Sequence, residues 1–343
     1  MKLKPVIFLL SLLLLSACDR KPEAIGDEIE VSIVAEQKLF EKLEPALNSA
    51  LARTIYTPQP EPAFKLTYLS PDELNKAAIR PNIIMAGLLG SSDRTSGQVR
   101  AMLTPQIIQQ VEKGESFLFR KEDPWAENQL LLVMAANDSA GLRQQIAENG
   151  DYIYSVLKDN VFKRMHEQLY SSYEKDELGE QLFDSYRWRV RVPHDFFLYR
   201  DEPDFNFIML RRTSPERWLF VRWIDAESSA DITEEWVIEQ RTYIGKKFYE
   251  GDSVVDKYLT SAEVEFAGRR ALMLQGLWEN NKKIAGGPFR SFTFYDEDTK
   301  RIYTVDMAVF APGMEKEPYI RQLEVMARTF RTEADLIREE PTS

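Results

Sequence analysis

Apolar positions between residues 29 and 148 switch between a two-residue and a helical rhythm. Residues 30–35 alternate as a strand, residues 37–53 place Leu39, Phe40, Leu43, Leu47 and Leu51 on one helical face, and residues 64–69 return to a strand. Ser70-Pro71-Asp72-Glu73 is a helix start, with an N-cap serine, a proline at the first helical position and a glutamate at the third. Residues 82–89 and 129–135 are unbroken apolar runs, the pattern of strands covered on both faces. Asp138 then caps a helix that runs through Glu148. The alternation predicts an α/β layered lobe.

Ile153, Leu157, Val161, Met165 and Leu169 recur at four-residue spacing and predict one long helix over 151–178, ended by Gly179. At 1.5 Å per residue it would run ~40 Å and brace one lobe against the next. Beyond it strands dominate. Residues 186–192 alternate Arg187, Arg189 and Arg191 with Trp188, Val190 and Val192. Further strands are predicted at 205–212, 217–224, 263–266, 271–277, 289–295 and 302–309, with hairpin turns at Ala267-Gly268 and 296–300. Thr233 starts one helix, and residues 314–330 form another. The fold class is therefore α+β in two lobes: an N-terminal α/β layered lobe over 29–180 and a C-terminal, mainly antiparallel sheet flanked by helices over 181–331. A polar tail follows over 332–343.

The first eighteen residues follow neither rhythm. Lys2 and Lys4 precede an apolar run over 6–15, too short to span a bilayer, and Leu15-Ser16-Ala17-Cys18 closes it. Those four residues resemble the lipobox of bacterial lipoproteins, in which the cysteine is joined to diacylglycerol and the signal is cut off in front of it. The resemblance implies a removed signal peptide over 1–17, lipid (palmitate-type acyl chains) on Cys18, and a lipidated tether over 18–28. It places the protein in the bacterial cell envelope, facing the periplasm or exterior, with membrane lipid as its first partner.

Composition narrows the chemistry. The net charge of −11 becomes −13 once Lys2 and Lys4 leave with the signal, so nucleic acid is not an expected partner. Cys18 is the sole cysteine, so no disulfide forms within the chain. His166 and His194 are the only histidines, too few for a multi-histidine zinc site, and no metal or cofactor is expected.

Leu277-Trp278-Glu279-Asn280, Gly286-Gly287-Pro288-Phe289, Ala311-Pro312-Gly313 and Arg321-Gln322-Leu323-Glu324, with Asp123-Pro124-Trp125 upstream, resemble an envelope lipoprotein family known as the domain of unknown function 4837 family. That resemblance runs over 29–330 and implies lipidation and envelope location, with no catalytic residues. The second lobe is also similar to the Mog1/PsbP-type antiparallel α/β/α sandwich, which implies binding more often than catalysis.

Several short patterns carry candidate chemistry beside a plainer reading. Gly87 to Ser92 follows a buried strand but has no Walker lysine, so a simple strand-to-helix turn competes with an anion site. His166-Glu167-Gln168-Leu169-Tyr170 has tyrosine where a zincin needs its second histidine. Ser155 with Lys158 and Ser172 with Lys175 fit SxxK without the companion motifs of that mechanism. Between Arg187 and Arg222 eight arginines face five acids, a local +3 in an acidic chain. The candidate binding surface is drawn from Arg187, Arg189, Arg191 and Arg211, with Trp278 beside Gly286 and Gly287 as a groove; cross-strand ion pairing and core packing are the plainer readings. The expected function is that of a binding or assembly component on the extracytoplasmic side, with an envelope protein as a further partner. The alternative is an envelope hydrolase acting on peptidoglycan or polysaccharide through a carboxylate pair.

Overall fold

A computed structural model describes residues 21–339; Cys18, the signal stretch and residues 340–343 lie outside the described residues. The first sheet has five strands in the order Lys65–Leu69, Glu30–Val34, Asn82–Leu88, Leu130–Ala136 and Leu118–Glu122. The first four run parallel and the last antiparallel. Helices cover both faces, which is why residues 83–88 and 130–136 of the central strands are apolar. Ile84 and Ala86 pack against helices Gln37–Leu51, Ser139–Glu148 and Gly150–Tyr170, while Ile83 and Met85 meet Arg94–Met102 and Pro105–Glu112 on the other side. The capping box at Ser70 and Glu73 forms, and Asp138 accepts from the amides of Ala140 and Gly141.

The predicted long helix is two helices. Gly150–Tyr170 stops, and Asp176–Tyr186 begins after a break pinned by the Lys175 amide donating to the Val192 carbonyl at 2.9 Å. Gly179 lies inside the second helix. A Cβ there would stand 3.3 Å from the Val190 carbonyl oxygen, so this glycine permits close packing and terminates nothing. The strand expected over 186–192 is also corrected. Arg187 takes a left-handed conformation that closes the helix, and only Trp188–Arg189 pairs as strand, with Arg331–Thr332. Trp188, Val190 and Val192 are buried without a continuous ladder, so their alternation records packing against the core.

The second sheet has eight antiparallel strands. Its path runs Ser253–Val254, Arg269–Asn280, Ala285–Asp296, Arg301–Phe310, Glu216–Asp225, Phe207–Arg212 and Phe197–Glu202, with Thr260–Phe266 also on Arg269–Asn280. Ala267 and Gly268 turn one hairpin, both at positive φ. Helix Glu234–Phe248, capped by Thr233, covers one face; helices Asp176–Tyr186 and Glu317–Ala327 cover the other. The chain is thus a mixed α/β protein with helices and sheets in two regions.

Helix Glu317–Ala327 also packs on Gly150–Tyr170 of the first lobe. Its first turn receives a carboxylate from that lobe: Glu61 accepts from the amides of Lys316 and Glu317 at 2.9 and 2.8 Å. Two polar segments are more ordered than their composition implied. Part of the expected tether lies on the first lobe, where the Glu127 amide donates to the Pro22 carbonyl and Arg164 pairs with Glu28 at 2.9 Å. The expected tail contains helix Glu333–Glu339, with Asp335 accepting from the Thr332 amide and pairing with Arg269.

Candidate functional site

One strand pair in the second sheet gathers aromatic and charged residues at the sheet's end. Arg211 and Trp218 stand opposite each other across strands Phe207–Arg212 and Glu216–Asp225. Three strands along the sheet from Glu216–Asp225, Trp278 faces Gly287. A Cβ on Gly287 would lie 1.9 Å from the Val309 carbonyl oxygen and 3.2 Å from the Trp278 indole nitrogen. The glycine is therefore filled by neighbouring backbone and by Trp278, and the side-chain-free groove expected at Gly286 and Gly287 is not there. On Gly286 a Cβ would meet the Trp278 carbonyl oxygen at 2.9 Å.

The open space lies elsewhere around Trp278. A cavity of about 260 Å³ is lined by Trp218, Trp278, Tyr249, Phe310, Arg211 and Asp252, among others. Trp218 has its ring centroid 5.7 Å from that of Trp278 and 5.6 Å from that of Tyr249. Arg211 pairs with Glu216 and sits 4.6 Å over the Tyr199 ring, and Lys283 pairs with Glu250 at 2.8 Å. Asn280 donates to Asp252 at 2.6 Å and receives the amides of Lys282 and Lys283. The rim charges are thus matched in sign and partnered within the protein, while the walls are aromatic.

The carboxylates of this cavity are pushed in opposite directions. Burial drives Asp252 above its ordinary value, against the Asn280 hydrogen bond that pulls it down. The hydrogen bond from Lys283 holds Glu250 below the ordinary carboxylate value. Beneath the floor, Arg241 stands 2.7 Å from the buried Asp306, whose carboxyl burial pushes up to about 7 despite that cation. The indole nitrogens of Trp218 and Trp278, the Tyr249 hydroxyl and the Arg211 Nε have no acceptor in the protein.

Of the predicted surface, Arg211 and Trp278 share this cavity. Arg187, Arg189 and Arg191 do not line it. Arg191 is engaged instead by Glu174 at 2.6 Å and by the Tyr170 ring, and donates to His166 Nε2, whose ring burial and Arg191 keep below its ordinary pKa. Arg212 pairs with Asp195, and Arg217 is buried over the Tyr319 ring. Within the arginine-rich stretch Arg191, Arg200, Arg211 and Arg212 are each paired with a carboxylate. The Gly87 turn is a packing contact, since a Cβ would lie 2.9 Å from the Ser96 Cα. Ser155 donates to the Tyr152 carbonyl, and the Lys175 ammonium to that of Phe196. Among the described residues no cluster suits a metal ion. Asp252 and Tyr249 were missed as site residues because nothing local in the sequence marks them.

A larger concavity of about 960 Å³ lies beside the C-terminal helix, but its ions satisfy one another: Arg269 with Asp296 and Asp335, Arg338 with Asp298, and Arg331 with Glu339.

With this geometry in view, the chain joins two domains of unknown function. The model described as Domain of unknown function (DUF4837) matches residues 175–329, and that described as Domain of unknown function (DUF8532) matches residues 24–170. The aromatic cavity lies in the DUF4837 segment; Asp123-Pro124-Trp125 falls in the other. No curated protein matches the sequence. Among solved structures, one from Bacteroides thetaiotaomicron is 9% identical over 43% of this chain, with a TM-score of 0.28, and this chain spans 45% of its length. The Ran-binding protein Mog1p of Saccharomyces cerevisiae is 12% identical over 43% of this chain and 90% of its own, with a TM-score of 0.30. LpqN of Mycobacterium tuberculosis, described as involved in cell envelope biogenesis, is 12% identical over 42% of this chain and 81% of its own, with a TM-score of 0.27. Among the described residues no helix is long and apolar enough to cross a membrane.

Proposed function

We propose that the protein is a cell-envelope lipoprotein, anchored through Cys18, whose second lobe binds a neutral pyranose of an envelope glycan in the Trp218–Trp278 cavity. The observation that carries this reading is the pairing of aromatic walls with a charge-balanced rim. Two indoles and a phenol offer flat faces on which the C–H face of a sugar ring can lie. The partnered ions Arg211–Glu216 and Lys283–Glu250 offer hydrogen bonds to hydroxyls without a net field that would select a charged ligand. A volume of about 260 Å³ suits a single ring.

Calorimetric titration with N-acetylglucosamine and its β-1,4-linked trimer tests the reading. Saturable binding that Trp278→Ala weakens at least about tenfold, with the fold intact by circular dichroism, supports it. Absence of binding by any neutral saccharide rejects it. The anchor is checked by moving Cys18→Ala from the membrane to the soluble fraction.

A second reading, hydrolysis of the bound glycan, is favoured by the two carboxyls, Asp252 and Glu250, that line the one cavity, with burial raising the first above its ordinary value and the Lys283 hydrogen bond lowering the second. Glycan turnover that Asp252→Asn abolishes while binding persists would select hydrolysis over simple binding.

A further inference from the structure

Where the lobes meet, the structure leaves positive charge in excess. Glu324, 1% exposed, is the shared carboxylate of this region: Arg290 contacts one oxygen, and Arg328 binds the other at 2.7 Å. Lys158, from helix Gly150–Tyr170 of the first lobe, reaches that second oxygen only at 3.6 Å and forms no hydrogen bond of its own among the described contacts. Arg321, 4% exposed, holds Glu317 through Nε at 2.7 Å and the Ala63 carbonyl through Nη2 at 3.0 Å, but its Nη1 has no acceptor. Four cations (Lys158, Arg290, Arg321 and Arg328) thus share two carboxylates (Glu317 and Glu324). The nearby Glu61 is engaged by backbone amides.

Uncompensated charge at the depth of Arg321 is costly, and a pair or a ligand normally offsets it. Burial holds Lys158 below its ordinary pKa, with Arg290, Arg328 and Arg321 adding to the effect and Glu324 opposing it. Three of these cations, Lys158, Arg290 and Arg321, border a cavity of about 380 Å³ with walls from both lobes, including Tyr154 and Phe162 from the first and Tyr258 and Phe289 from the second. Tyr56 and Tyr258 meet across its edge with ring centroids 5.5 Å apart. Cavities at lobe boundaries with apolar walls and a few convergent polar groups are favoured ligand sites.

We propose that this inter-lobe cleft binds a small organic anion, its carboxylate or phosphate held between Lys158 and Arg321 and its body against the aromatic walls. The site is separate from the Trp218–Trp278 cavity and does not depend on the glycan reading. Lys158 comes from the DUF8532 segment and Arg321 from the DUF4837 segment, so an occupant ties the two together.

The test is thermal unfolding of the full chain at constant ionic strength, titrated with inorganic phosphate or with benzoate against a chloride control, alongside Lys158→Met and Trp278→Ala. The expected result is a saturable stabilisation by at least one anion, with apparent affinity reduced at least about tenfold in Lys158→Met and unchanged in Trp278→Ala. Phosphate acting alone assigns a tetrahedral head group; benzoate acting alone assigns a carboxylate with an apolar body. Lys158→Met, which removes the cation with little change of volume, is expected to change the unfolding temperature little without anion, because Arg290 and Arg328 still hold Glu324. Stabilisation by neither anion, stabilisation that survives Lys158→Met, or a marked loss of stability in Lys158→Met without anion, as a plain ion-pair role requires, overturns the proposal.

Discussion

The two lobes bury charge very differently. In the first lobe Arg164 is the one ionisable side chain among the described residues that is buried, whereas the second buries Arg217, Arg241, Asp252, Asp296, Asp306, Lys316, Glu317, Arg321 and Glu324. The first lobe is a mostly parallel sheet sealed by helices on both faces, and such a sheet has no place for an ion in its central strands. The second is antiparallel and carries its ions between the sheet and the helices laid on it. Both cavities with a chemical character, the aromatic one and the cationic one, are built with residues of that charge-bearing lobe. Groups whose burial is unfavourable are kept where something else uses them, which favours the second lobe as the seat of the proposed binding sites.

The strongest way to sharpen that contrast is Glu324→Gln. Removing the shared carboxylate leaves Arg290, Arg328 and Lys158 around a neutral amide, and a loss of ~3–5 kcal/mol at pH 7 is expected by urea unfolding. Burial pushes Glu324 up, but Arg290, Lys158 and Arg328 together overcome it and hold it well below the usual carboxylate range. Its contribution is therefore present above the unfolded value of 4.5 and lost as pH falls below it, so the penalty of Glu324→Gln shrinks in acid. An unchanged penalty at pH 3.5 would contradict the assignment.

Asp306 acts in the opposite sense. Its folded-state value of about 7 lies above the unfolded 3.8, so the native state binds the proton more tightly and this group lowers stability as pH rises through that window. The difference in unfolding free energy between pH 4.5 and 7.5 is expected to change in Asp306→Asn by the removal of that slope. The smallest effect is expected at the surface: Arg191→Ala breaks a partly exposed pair with Glu174 and is expected to cost ~0–1 kcal/mol, measured in the same way. A loss as large as that of Glu324→Gln would erase the distinction between buried and surface charge.

The same contrast explains what the sequence could disclose. Ile83 to Ala86 and Leu131 to Ala135 read as buried strands because each of their neighbours on both faces is apolar, so the pattern is complete within the segment. The capping signals at Ser70, Asp138 and Thr233 were equally local. Residues 186–192 misled because packing of Trp188, Val190 and Val192 produces the same alternation as a strand, while the positive φ of Arg187 leaves no mark in composition. Gly179 misled because a packing glycine and a terminating one are the same letter. Trp278 was visible as an aromatic beside glycines. Its partners Trp218, Tyr249 and Asp252 come from another strand, a helix end and the loop after it, and only the tertiary fold brings them together. Glu324 and Lys158 are 166 positions apart in a chain with 55 acids, so their approach had no sequence signature.

The central claim, that the Trp218–Trp278 cavity receives a neutral sugar, is tested most directly by the six indole N–H resonances in ¹H–¹⁵N spectra, assigned with Trp218→Phe and Trp278→Phe. On titration with the β-1,4-linked trimer of N-acetylglucosamine, the resonances of Trp218 and Trp278 are expected to shift saturably while those of Trp125 and Trp188 stay in place. Shifts confined to tryptophans outside the cavity, or none at saccharide concentrations that saturate calorimetry, would contradict it.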